Sequence, residues 1–195
     1  FYNVKILKKI PVFSGLGGGT SNAASVLKFI LKKKIKKKIF DKFSKYVGSD
    51  LRLFYFKQGY QKNLNEIYKF KKNYNLNFLL AYPKIKCSTK DIFSRVKNYS
   101  RTKKLLSKNF DSKTKLINYL IYSKNDLQFI VEKKHPIIKK LLKSISKSEG
   151  CLFSRMTGSG SVCYGLFANQ NCSKVALKKL RKKYPKFWFS IAKTI

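Results

Sequence analysis

The stretch PVFSGLGGGTSNAAS, Pro11 to Ser25, constrains this chain more than any other, because Gly15, Gly17, Gly18 and Gly19 run straight into a small-residue helix start. Glycine lets the main chain take positive φ and approach an anion closely. Thr20, Ser21 and Asn22 are placed to cap the following helix, whose first N–H groups and positive dipole end face the loop. Phosphate oxygens suit that charge pattern. Residues Pro11, Val12, Phe13, Ser14, Gly15, Leu16, Gly17, Gly18, Gly19, Thr20 and Ser21 are therefore the expected phosphate cradle. Two familiar motifs are excluded by counting. The P-loop requires Gly-Lys-Ser/Thr after its second glycine, and the dinucleotide fingerprint requires Gly where Thr20 stands. A flexible strand-to-helix turn is the plainer reading, but a turn rarely uses this many glycines.

The flanks fit a loop between a strand and a helix. Tyr2, Val4 and Ile6 alternate with Asn3 and Lys5, which predicts a strand entering it. Leu27, Leu31, Ile35 and Ile39 recur every four residues with lysines opposite, which predicts a helix leaving it.

Composition narrows the class. A chain of 195 residues with 44% hydrophobic residues can bury a core in one or two domains. A formal net charge of +37 is the balance expected of a nucleic-acid or anionic-membrane partner. Lysine, however, is spread along the whole chain beside abundant Ile, Asn, Phe and Tyr, all residues of A/T-rich codons. Compositional drift accounts for the charge, and no specific nucleic-acid partner is expected. Cys87, Cys151, Cys163 and Cys172 form no CxxC pair and none is near His135, so neither a zinc site nor a disulfide framework is indicated and a reduced, cytoplasmic protein fits. No apolar stretch is long enough to span a bilayer, so no membrane partner is expected.

Further along, Asp50 follows Gly48 and Ser49 and precedes the apolar run Leu51, Leu53, Phe54, Tyr55 and Phe56, read as a strand. A polar, lysine-bordered segment at Asn73–Asn77 predicts a domain junction. NFLLAYP reads as a buried strand stopped by Pro83, and Thr89 as the cap of a helix through Ile92, Phe93 and Val96. Residues 97–115 are polar and low in pattern, and are expected to form a loop with partial helix. Pro136 opens a helix with Ile137, Ile138, Leu141, Leu142 and Ile145 inward. Strands are predicted at Cys151–Arg155 and Ser161–Phe167 around TGSG, then a helix from Ser173 to about Tyr184 and a last strand at Phe187–Ala192.

The glycine loop, GSD at Gly48–Asp50, NDL at Asn125–Leu127, MTGSGS at Met156–Ser161 and the closing FSIAKTI come in one order across nearly the whole chain. Together they resemble the GHMP kinases, the superfamily of galactokinase, homoserine kinase, mevalonate kinase and phosphomevalonate kinase. The resemblance implies an ATP-dependent kinase acting on the hydroxyl of a small-molecule substrate, with Mg2+ accompanying ATP. It implies a two-domain α+β fold, with an ATP-binding N-terminal domain over 1–74 and a ferredoxin-like C-terminal domain over 75–195. Thr20 and Ser21 are then candidate hydroxyls for the magnesium ion, and Asp50 the candidate general base. In that family the aspartate works with a lysine from an opening segment. As this chain opens at Phe1, the expectation is a partial first domain lacking that lysine and the opening strands. Gly158, Ser159 and Gly160 match a loop that supports the phosphate and substrate region, and Phe93 a ring that stacks on a base of the acceptor.

Plainer readings stand beside these: a turn cap for Asp50, a tight turn for Gly158–Gly160, and core packing for Phe93. Phe13 and Ser14 replace small residues usual in that family, Arg52 replaces a proline, and KNLN at Lys62–Asn65 replaces glycines. Competing functions are a different GHMP kinase, a non-catalytic remnant of the fold, and a basic nucleic-acid-binding module.

Overall fold

The computed structural model describes residues 3–31, 37–64, 66–100 and 110–194. They form two compact units: Phe1–Val12 with Gly17–Asn73, and Phe13–Leu16 with Tyr74–Ile195.

In the first unit, helix α1 (Gly18–Ile30) ends with Leu31 at its C-cap, and α2 (Lys37–Val47) follows. The single long helix predicted from Leu27 to Ile39 is thus two helices, and Ile35 lies outside the described residues. The segment after α2 is a 3₁₀ helix, Ser49–Tyr55, not the strand predicted there. Its repeat of about three residues turns Leu51 inward, fully buried, onto Ala24 of α1, with Leu27, Leu31, Ile39 and Phe54 around them. Arg52, in the proline position of the resembled family, makes an ion pair with Asp41 at 3.0 Å, donates to Ser44 Oγ at 3.2 Å and bonds the Leu64 carbonyl. It thereby ties α2 to the turn between β1 (Gly59–Gln61) and β2 (Ile67–Lys69), an antiparallel pair. The strand predicted to enter the glycine loop is not formed among the described residues, and Tyr2 lies outside them. Residues 3–9 have no regular structure, because among the described residues no neighbour supplies the ladder that a strand needs.

The second unit carries a four-stranded antiparallel sheet: β3 (Asn77–Tyr82), β4 (Cys151–Met156), β5 (Cys163–Phe167) and β6 (Trp188–Lys193), in spatial order β4-β5-β3-β6. That is the order of a ferredoxin-like sheet, and with its helices it makes the fold α+β. Between β3 and β4 run α3 (Thr89–Ser94), α4 (Lys113–Tyr122), α5 (Asp126–Lys134) and α6 (Pro136–Ser146), and α7 (Gln170–Lys183) joins β5 to β6. Each start has a local cause. Ser88, Ser112, Asn125 and Asn169 accept backbone N–H bonds as N-caps, and Pro136 opens α6. Thr89 is therefore the first helical residue and not the cap. Helices α4 and α5 lie where the sequence showed little or no periodicity, since α4 buries Leu116 alone and α5 only Leu127 and Val131.

The core lies between helices and sheet. Ile138, Leu141, Leu142 and Ile145 of α6, spaced three and four apart, meet Leu79, Ala81, Cys163, Phe167 and Phe189 of the sheet, with Ala176 and Leu180 of α7 alongside. Burial pushes the Cys151 thiol up to about 11 and Cys163 higher still. Neither is a thiolate at neutral pH, which agrees with packing rather than reactivity.

Gly165 sets how closely α6 approaches β5. A Cβ there would stand 2.5 Å from Ile145 Cγ2 and 2.9 Å from the Phe167 ring. Gly165→Ala is expected to destabilise the protein by about 1–3 kcal/mol through overpacking, read by urea denaturation; wild-type stability would show that α6 has room to retreat.

Candidate functional site

The glycines of the loop have different work to do. Gly15 has φ +75, and a Cβ on it would stand 2.6 Å from the Thr157 carbonyl and 2.9 Å from that of Gly160. It is required by packing within the second unit. Thr157 Oγ1 donates to the Gly15 carbonyl at 2.5 Å, and the Val162 amide donates to the Ser14 carbonyl at 3.1 Å. Ser14 is buried at the same place. Phe13 beside it is two-thirds exposed and has φ +53, a left-handed conformation that disfavours a bulky side chain. Its ring centroid lies 6.0 Å from Lys86 Nζ.

Gly17 begins the second half of the loop, in the first unit. It is the N-cap of α1 with φ 63 and ψ 24, and no side chain caps the helix. Thr20, Ser21 and Asn22 are the third to fifth residues of α1, inside the helix, which corrects their predicted capping role. Ser21 N–H donates to the Gly17 carbonyl at 2.9 Å, so the amides of Gly18, Gly19 and Thr20 precede the first helical hydrogen bond. A Cβ on Gly18 would meet Ile10 at an ordinary 3.7 Å, and one on Gly19 would meet nothing within 4 Å. These glycines are not demanded by packing. What their bareness leaves open is close approach to three amides at the positive end of a helix, the arrangement that suits phosphate. Pro11 and Val12 belong to the same unit as this half.

Among the described residues there is no cluster of three His, Cys, Asp or Glu side chains able to hold a metal ion. A magnesium ion held chiefly by phosphate oxygens needs no such cluster, and the Thr20 and Ser21 hydroxyls on the first turn of α1 are suitable hard ligands. Ser21 Oγ makes only a long 3.4 Å contact with the Gly18 carbonyl.

Asp50 lies in the first turn of the 3₁₀ helix, exposed. The cap residue there is Gly48, with no side-chain cap bond, so Asp50 does not serve as the cap. The 3₁₀ helix packs on α1 through Leu51, through Phe54, whose ring would be 3.6 Å from a Cβ on Gly17, and through Lys28 Nζ, which donates to the Phe54 carbonyl at 2.7 Å. Asp50 and the start of α1 therefore belong to one packed body.

In the second unit, Phe93 and Gly158 line one open groove of about 500 Å³ together with Tyr99, Asn125, Arg155 and Tyr164. Phe93 is about half exposed and does not serve the core. Burial raises the pKa of Tyr164, which keeps its phenol neutral. Arg155 Nη2 donates to the Leu120 carbonyl at 2.8 Å, and its guanidinium lies 4.7 Å from the Phe153 ring centroid, so it braces the wall. Ser159 is buried, its Oγ 3.0 Å from Thr89 Oγ1. Gly160, φ +93, has Met156 Sδ 2.8 Å from where a Cβ would be. Of the predicted trio only Gly158 faces the groove. Arg155, Thr157 and Tyr164 reach this groove from the β4–β5 hairpin and Tyr99 from the segment after α3, and no sequence pattern marked any of the four as groove-lining.

Comparisons with known proteins agree with this architecture. The family model "GHMP kinases C terminal" matches residues 102–186. The 4-diphosphocytidyl-2-C-methyl-D-erythritol kinase of Pelagibacter ubique is 34% identical over an alignment covering 100% of this chain and 69% of the relative. The enzyme of that name from Wolbachia pipientis wMel is 32% identical, over 95% of this chain and 65% of the relative. This chain thus spans about two thirds of the length of these relatives. Among solved structures, a 4-(cytidine 5'-diphospho)-2C-methyl-D-erythritol kinase superposes with a TM-score of 0.69 at 18% identity, covering 94% of this chain and 68% of that one. A homoserine kinase from Cytophaga hutchinsonii gives 0.63 at 14% identity, covering 96% and 68%. Both show the fold.

The loop glycines are expected to separate on substitution. Gly15→Ala should lose stability by more than 1 kcal/mol, roughly the cost of a left-handed non-glycine residue before any clash. Gly19→Ala should gain up to about 1 kcal/mol, since Ala is the better helix former. Thermal denaturation of both variants decides it, and equal effects would mean that the two halves of the loop are not distinct.

Proposed function

Because the chain belongs to the 4-diphosphocytidyl-2-C-methyl-D-erythritol kinase family of the GHMP kinases, we propose that it acts in ATP-dependent phosphorylation of the 2-hydroxyl of 4-diphosphocytidyl-2-C-methyl-D-erythritol. That reaction belongs to the non-mevalonate route to isoprenoid precursors and takes place in the cytoplasm. The observation that carries the reading is the start of α1, where Gly18 and Gly19 leave backbone amides open to a phosphate without being needed for packing.

Phosphoryl transfer asks for a held triphosphate, neutralised charge on the moving group and an oriented acceptor. The amides of Gly18, Gly19 and Thr20 hold phosphate oxygens, and the helix dipole adds positive potential. Thr20 and Ser21 offer hydroxyls to the magnesium ion, which supplies charge neutralisation when bound with ATP. Asp50, exposed and without a capping duty, accepts the proton of the acceptor hydroxyl as its oxygen attacks the γ-phosphorus, the bond to the β–γ bridging oxygen breaks and ADP leaves. Phe93 offers a face for the cytosine ring of the acceptor, and Gly158 gives that groove a wall without a side chain.

A second reading, a chain that binds nucleotide without turning it over, is favoured by Phe13, a bulky residue at a strained φ inside the loop. A phosphoryl-transfer assay with ATP and the cytidyl acceptor, set beside a nucleotide binding curve, separates the two. A panel of other acceptor alcohols separates this kinase from other members of the superfamily.

Two substitutions test the roles. Gly18→Val should raise the ATP dissociation constant at least tenfold, about 1.4 kcal/mol, measured by calorimetry on folded protein; an unchanged constant removes the cradle assignment. Asp50→Asn should lower turnover by about 10² to 10⁴ while ATP binding stays as it was. Full turnover in that variant would leave Asp50 a surface residue.

A further inference from the structure

We propose that Asn125 is a positioning residue, whose side-chain amide clamps the 156–161 turn and thereby fixes the Ser14–Gly15 backbone of the glycine loop. The clamp rests on geometry alone; only its consequence for ATP rests on the function proposed above.

The amide of Asn125 is used at every hydrogen. Nδ2 donates to the Met156 carbonyl at 2.9 Å and to the Gly158 carbonyl at 2.9 Å, while Oδ1 accepts the Leu127 N–H at 3.0 Å as the N-cap of α5. Those partners also fix which end is nitrogen, because the reversed amide would set its oxygen against two carbonyls. Capping needs only the oxygen, and Ser or Asp would serve as well. Ser88 and Ser112 do that for α3 and α4. The two donated bonds are what an asparagine adds here.

One helical turn further, Gln128 completes the grip. Its Oε1 accepts the Met156 N–H at 3.0 Å, and its Nε2 is held by Glu132 Oε1 at 2.7 Å. Both backbone groups of Met156 are thus bound by side chains from the first turns of α5. Beyond Met156 the turn is built from left-handed glycines, Gly158 at φ +47 and Gly160 at φ +93. Such a turn has many accessible shapes unless something selects one.

The selected shape reaches the loop without any flexible side chain in between. Thr157 N–H donates to Val162 O at 2.9 Å, Gly160 N–H to Thr157 O at 2.9 Å, and Val162 N–H to Ser14 O at 3.1 Å. A Cβ on Gly158 would stand 3.3 Å from the Gly15 carbonyl oxygen. A shift of the Met156–Gly158 carbonyls therefore moves the surface on which Ser14 and Gly15 rest.

Asn125→Asp separates clamp from cap, since it keeps the capping oxygen and turns both donors into acceptors facing carbonyls. Asn125→Ser caps with no donors and serves as the milder variant should the first not fold. Hydrogen exchange by mass spectrometry on the purified chain is the first readout. Amides of 157–162 should exchange about tenfold faster or more, the order expected for two lost hydrogen bonds, with 126–134 unchanged. Loosening of α5 together with the turn, or no change in 157–162, would reduce Asn125 to a cap and overturn the proposal. The second readout is the ATP dissociation constant, expected to rise about tenfold in the variant. If the wild-type chain binds no ATP, the proposed function fails while the exchange result still decides the clamp. If it binds ATP equally well in both forms, the link from Asn125 to the loop is wrong.

Discussion

The contact on which the second unit's part of the glycine loop depends joins the Ser14 and Gly15 carbonyls to the Val162 N–H and the Thr157 hydroxyl. Such a contact tolerates almost no volume, which is why Gly15 must lack a Cβ where the Thr157 carbonyl would be 2.6 Å away. It also places a constraint on the sheet. Met156 and Cys163 are paired at the end of the β4–β5 ladder, and the turn between them is held by α5 from outside. The sheet, α5 and the Ser14–Gly15 backbone therefore share one geometry.

The same constraint divides the loop into a half shaped by packing and a half left open. Gly15 answers to the turn at Thr157, and Gly17 answers to the left-handed start of α1. Gly18 and Gly19 answer to neither. A residue type that costs helix stability and serves no packing need stands where the first amides of α1 are free of helical bonds, and that is the strongest physical reason for expecting an anion there. Asp50 fits the same logic, as an exposed carboxylate on a 3₁₀ turn that does not use it as a cap.

Legibility in the sequence followed the length of the signal. The apolar spacing of α6 and the strands around TGSG were readable because they repeat a period several times against one buried sheet. The 3₁₀ helix at Ser49–Tyr55 was misread as a strand, since a short apolar run has no period long enough to tell the two apart. Helices α4 and α5 carry no readable signal beyond the partial helix expected up to Lys115, because they bury few residues and owe their starts to Ser112 and Asn125, caps that look like ordinary loop polarity. Within the site, the glycine loop and Asp50 stood out by residue type. The Thr157–Gly15 contact did not, being made between positions 142 apart.

The charge of the chain follows from the same division between constrained and free positions. On α6 the apolar residues are fixed by the sheet, while Lys139, Lys140 and Lys143 lie on the exposed side. Lys140, Lys143 and Lys147 meet Lys179 and Lys183 across a groove of about 600 Å³, with Glu149 as its one acidic lining residue. Like charges this close repel, and salt screens them over about 8–10 Å. Tolerance of such a face is explicable where packing asks nothing of the side chain, and Lys183 shows how little is needed to accommodate it, donating to Ser144 Oγ at 3.1 Å beside the Tyr184 ring. By contrast, the glycine loop and the turn and cap that support it carry glycine, serine, threonine and asparagine. Lysine crowds the exposed positions, whereas Gly15 has no room for any side chain, a Cβ there lying 2.6 Å from the Thr157 carbonyl.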